Sequence, residues 1–126
     1  MKLDRNKSLE EKRIPAMILK IATGYINKGE TVKEKEKYLH SACTAWNLAC
    51  MSDKRREKEL KRYIKTYKKI NNADKEACKA LKEDMISLIK RKNELYPDVI
   101  NIKVTNSTIV SIGGQDHVII TSTETI

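Results

Sequence analysis

Phenylalanine is absent from this 126-residue chain, and tryptophan occurs once. With five tyrosines as the only other aromatics, the core has to be filled mainly by Ile, Leu, Val, Ala and Met. Proline occurs twice and glycine four times, and there is no internal repeat and no low-complexity tract. The three cysteines, Cys43, Cys50 and Cys78, are an odd number with no CxxC spacing, which points to reduced thiols rather than a disulfide framework. No apolar run approaches the roughly 20 residues that span a bilayer. Residues 1–13 are charged throughout and do not resemble a signal peptide. The expectation is a cytoplasmic protein with no membrane partner.

Motifs for chemistry are missing as well. There is no paired-carboxylate, triad, metal or glycine-rich phosphate signature. Gly113-Gly114 is followed by no Lys-Ser or Lys-Thr and leads into a strand, so it is not a phosphate loop. Cys43, His40, Cys78 and His117 could ligate zinc only if the fold gathered them. The expectation is therefore no metal, no cofactor and no catalytic residue, which leans away from an enzyme.

What the chain does have is charge of one sign: 26 Lys and Arg against 17 Asp and Glu. Residues 53–72 alone hold nine Lys/Arg and three Asp/Glu. At about 100° per residue, Leu60, Tyr63, Ile64, Tyr67 and Ile70 fall on one stripe. Lys54, Arg55, Lys58, Lys61, Arg62, Lys65, Lys68 and Lys69 fall on the opposite arc. This spacing predicts an amphipathic helix with a basic face that can meet nucleic-acid phosphates without reading sequence. A Lys-rich face is also an ordinary solvated surface. Tyr63 and Tyr67 lie on the apolar side, where they cannot interleave with bases.

Three further helices are expected. Ser8 with Glu11 reads as a capping box, so residues 1–7 are expected to be a flexible tail before a single domain at 8–126. The first helix carries Ile14, Met17, Ile18, Ile21 and Tyr25, with Gly24 expected at a close helix contact. Thr31 with Glu34 opens the second helix. From Tyr38 through Ser52 it has no charged residue, the mark of a central helix buried around most of its circumference. Trp46 is its expected core anchor. His40, Thr44 and Asn47 form a polar stripe on that helix, expected to be a buried polar network. The competing reading is a ligand pocket with His40 as acid–base group. Asp74 opens the fourth helix, with Cys78, Leu81, Met85, Leu88 and Leu95 inward, and Pro97 ends it.

After Pro97 the period becomes two. Ile100, Ile102 and Val104 alternate, then Thr108, Val110 and Ile112, then Val118 and Ile120. Asn106-Ser107 and Gly113–Asp116 read as turns. The expected fold is α+β, with a helical body at 8–96 and a three-stranded antiparallel meander at 98–123. The meander's sparse charge suggests a homodimer through the sheet. In function the chain reads as a small binding or adaptor protein. The alternatives are a nucleic-acid-binding accessory protein and an enzyme at His40.

Overall fold

The computed structural model describes the backbone of residues 2–124 and the side chains from Ile14 to Glu124. Four helices precede a two-stranded sheet: α1 (Lys2–Ile26), α2 (Val32–Ala49), α3 (Asp53–Asn71), α4 (Lys75–Leu95), β1 (Ile102–Ile112) and β2 (Gln115–Glu124). The class is α+β, but the expected meander of three strands is a hairpin of two.

The helix boundaries follow from local chemistry. Thr31, Ser52 and Asp74 each accept a bond from the backbone N–H three residues on, at 3.1, 3.4 and 2.8 Å. Glu34 completes the second cap by accepting from the Glu30 N–H. Asn72, with φ of 49°, ends α3 in the left-handed conformation that asparagine tolerates. At the start of the chain the reading differs. α1 is helical from Lys2 and passes through Pro15, so the expected tail at 1–7 is helical from its second residue. Nothing between Lys2 and Ile14 is a helix breaker. The side chains of Ser8 and Glu11 lie outside the described residues.

The loss of one strand has a definite cause. Asn106-Ser107 does not turn the chain. The Asn106 side chain accepts the Ser107 N–H at 2.9 Å, and the ladder slips by one residue at Thr105. The same local bonding that makes asparagine a turn former here makes a β-bulge. The bulge also reverses which side chains face the helices. Ile102 and Val104 point inward before it, whereas Ser107 and Ile109 do so after it. Thr108, Val110 and Ile112 therefore lie on the outer face, and Ile112 is 61% exposed. Ile100 precedes the strand and is exposed. Gly113 and Gly114 close the hairpin with φ of 58° and 80°, the type I′ pattern that suits a two-residue connection.

α2 lies at the centre, packed against β1 and the three other helices. Its uncharged stretch supplies Leu39, Ala42, Cys43, Ala45, Trp46, Leu48 and Ala49 to the core. Ile14, Ile18, Ile21, Ala22 and Ile26 of α1 meet them from one side, and Leu81, Met85, Leu88 and Ile89 of α4 from another. A two-stranded sheet is marginal alone, and here the helical layer covers its inner face. α3 buries no residue and rests on the body through half-buried Leu60, Tyr63, Ile64 and Tyr67, while Ile70 is exposed. Gly24 is not a close contact: a Cβ there would meet nothing within 4 Å. Gly29 is the tight position, with a Cβ falling 2.7 Å from the Lys35 nitrogen. No helix among the described residues is long and apolar enough to cross a membrane.

Candidate functional site

The eight basic residues of α3 singled out in sequence are all exposed. Lys61 and Arg62 have carboxylate neighbours on the same helix, Glu57 at 3.9 Å and Glu59 at 3.7 Å. Such surface pairs are weak. The other six, Lys54, Arg55, Lys58, Lys65, Lys68 and Lys69, form no ion pair with any described residue. Arg56, the ninth cation, does something different. Its guanidinium donates to the Leu48, Ala49 and Met51 carbonyls at 2.9, 3.2 and 2.7 Å and pairs with Asp53 at 3.0 Å. It ties the C-terminal carbonyls of α2 to the first turn of α3, and so fixes the direction in which the basic helix leaves the body.

Packing then adds cations that the helix alone lacks. α3 and α4 enclose a groove of about 340 Å³. Its floor is half-buried Leu60, Ile64 and Cys78. Lys61, Lys65 and Lys68 rise from α3, and Lys75 and Lys82 face them from α4, with Glu57 the single acid. Five ammonium groups over an apolar strip form a surface that attracts an anionic chain and shields its less polar parts from water. Lys75 and Lys82 were not singled out in the sequence, because each is flanked by acids of α4, Glu76 beside Lys75 and Glu83 and Asp84 after Lys82.

The His40, Thr44 and Asn47 stripe does not form one network. Asn47 pairs with the backbone of Val104 as a neighbouring strand would: its amide donates to the Val104 carbonyl at 2.9 Å and its oxygen accepts the Val104 N–H at 2.8 Å. Thr44 turns back to the His40 carbonyl at 3.0 Å. His40 is exposed rather than buried, with Nδ1 3.3 Å from the Ser107 hydroxyl. Two more α2 side chains join this row. Trp46 donates Nε1–H to the Ile102 carbonyl at 3.0 Å, and Glu36 accepts the Ile109 N–H and the Thr108 hydroxyl, each at 3.0 Å. Those two bonds hold the Glu36 carboxyl below its usual range. Asn47, Glu36 and Trp46 thus satisfy part of the outward-facing edge of β1, whereas Thr44 serves its own helix. Glu36 was missed because it sits among the lysines of the first α2 turns, where a surface ion pair is the ordinary reading.

A groove of about 540 Å³ opens between α2, α3 and β1, lined by His40, Glu36, Ser41, Tyr63, Tyr67 and Ser107 among others. It does not present a ready nucleophile. Ser107 is 8% exposed, and the Glu36 carboxylate is committed to β1 rather than to the imidazole. Cys43 is buried, and burial pushes its thiol up to about 11, which keeps it protonated and unreactive. No described group of three or more His, Cys, Asp and Glu side chains is placed to hold a metal ion.

One buried group was announced by no pattern. Lys92 is 0% exposed and lies against Trp46, its ammonium 5.4 Å from the ring centroid. The ammonium has no hydrogen-bond partner among the described residues. It fills the inward position between Leu88 and Leu95 that the apolar stripe skips, and Leu95 is exposed instead. Desolvation lowers its pKa. Neither a family model, nor a curated protein, nor a solved structure matches this chain.

Proposed function

We propose that this is a non-enzymatic, cytosolic binding protein that holds the phosphate backbone of nucleic acid along α3 and in the α3–α4 groove. The observation that carries the reading is the convergence of cations from two helices on one groove. A solvated lysine face on a single helix needs no counterpart on its neighbour, whereas Lys75 and Lys82 extend the field of Lys61, Lys65 and Lys68 across it. Binding of this kind is driven by counterion release and tracks charge rather than base identity. Lysine dominance fits, because an ammonium is a point charge without the planar fork that reads guanine.

Fluorescence anisotropy with labelled single-stranded and duplex probes, across a salt series, tests the reading. Replacing Lys65, Lys68, Lys75 and Lys82 by Gln should weaken binding uniformly across sequences. The slope of log affinity against log salt should fall by roughly 0.7–0.9 per lost phosphate contact. These side chains are exposed, so the fold should persist. Absence of wild-type binding at about 50 mM salt, where charge contacts are strongest, would sink the reading.

A further inference from the structure

The two edges of the hairpin are treated unequally. In an antiparallel pair, opposite residues alternate between those bonded to each other and those that turn N–H and C=O outward. Val104 and Ile109 use their outward N–H groups on Asn47 and Glu36, so their partners across the ladder, Ser122 and Val118, also turn outward. Ile120 lies between them, opposite Ser107, and shares their orientation. On β1, side chains of α2 take four of the outward groups: Asn47 the Val104 N–H and C=O, Glu36 the Ile109 N–H, and Trp46 the Ile102 C=O. On β2 the outward groups of Val118, Ile120 and Ser122 receive no bond from any described residue. Among the described residues the sheet therefore has one edge bonded by α2 and one edge, on the strand that α1 packs against, with no hydrogen-bond partner.

We propose that the open β2 edge pairs with the β2 edge of a second copy of this chain, making a continuous four-stranded antiparallel sheet. β2 carries charge only at Asp116 and Glu124, so the seven residues between them face their own copy without ionic repulsion. Charge also narrows the register. A two-fold axis at Ile120 sets Asp116 against the partner's Glu124, like charges directly opposite. An axis at Val118 wastes half the strand on the Gly113-Gly114 turn. An axis at Ile119 avoids both. It pairs Val118 with the partner's Ile120, pairs Asp116 with the partner's Ser122, and forms roughly eight backbone bonds. It also brings Ile119, 49% exposed on the outer face, against the partner's Ile119. Because the opposite edge is capped, the pairing closes at two copies and does not propagate into a fibre.

The test uses the full chain and two single variants at the axis. Wild-type protein should be dimeric by light scattering at high micromolar concentration. Ile119→Lys and Ile119→Glu each place like charges at the two-fold, so each alone should be monomeric with an unchanged far-ultraviolet spectrum. Mixed in equal amounts they should recover the dimer, which loss of folding cannot imitate. With Cys78→Ser as background, Ile119→Cys should form an intermolecular disulfide under mild oxidation, whereas Ile120→Cys should not. A monomeric wild type overturns the proposal. So does a dimer that Ile119→Lys leaves intact, since its interface would then lie elsewhere.

Discussion

Replacing Asn47 by Ala removes both halves of its bond to Val104 and leaves a backbone N–H and C=O without a protein partner. Each lost hydrogen bond is worth about 0.5–1.5 kcal/mol net, and each stranded group costs about 1–3 kcal/mol when water cannot reach it. A groove of about 240 Å³, lined by Asn47 with Cys50, Ile102 and Lys103, opens beside the pair, so water can take over part of the bonding. The expected loss is therefore near the lower end, about 2 kcal/mol. For a domain of this size that is roughly 6–10 °C in Tm. Asn47→Asp should fall between wild type and Ala, because its carboxylate still accepts the Val104 N–H but faces the Val104 carbonyl. Thr44→Ala is the control: its hydroxyl bonds only to its own helix, so the change should lie within about 0.5 kcal/mol. Urea unfolding followed by both circular dichroism and Trp46 fluorescence supplies the free energies. If Asn47→Ala matched wild type, or Thr44→Ala cost as much as Asn47→Ala, the claim that α2 caps the edge of β1 through Asn47 would be refuted.

Lys92→Met should stabilise the fold by about 1 kcal/mol at pH 7, since desolvation of an ammonium without a hydrogen-bond partner costs more than the roughly 2 kcal/mol of its cation–π contact returns. The lowered pKa of Lys92 means the unfolded chain holds this proton more tightly, so wild-type stability should rise with pH from the folded value up to 10.5. Lys92→Met should lack that rise in urea unfolding, and marked destabilisation by the substitution would show that the ammonium has a partner. Glu36 has the opposite sign: its depressed pKa stabilises the fold above 4.5, and that contribution is lost as pH falls through the folded value. An acid titration of Glu36→Gln should show a shallower loss over that window, and an unchanged profile would contradict the Glu36 contacts. In the folded protein at pH 8, Cys43 should be the last of the three thiols to react with iodoacetamide, read by peptide mass spectrometry; early labelling of Cys43 would place it at the surface. Gly24→Ala should stabilise by about 0.5–1 kcal/mol, because the helix gains a better former and the Cβ meets open space. Gly29→Ala should destabilise, because its Cβ would press on the α2 backbone, and thermal melts that reversed this order would contradict the packing.

The sequence by itself determined what depends on neighbours along the chain. Thr31 and Asp74 marked two helix starts because a capping bond closes within three residues. The uncharged run from Tyr38 to Ser52 marked the central helix, and the opposed stripes of α3 marked its basic face, because burial leaves a periodic trace. What only the tertiary structure decided depends on what arrives from elsewhere. Asn106 can bend a chain or bulge a strand, and the paired β2 selected the bulge, which moved Ile112 to the outside and Ser107 inward. Asn47 and Glu36 became strand-edge partners only once β1 lay beside α2. Lys92 sits at an inward position that binary patterning would give to an apolar side chain, and only the packed position of Trp46 shows what it covers. The groove cations on α4 carry no pattern of their own, because the field that joins Lys75 and Lys82 to α3 acts through space and not along the chain.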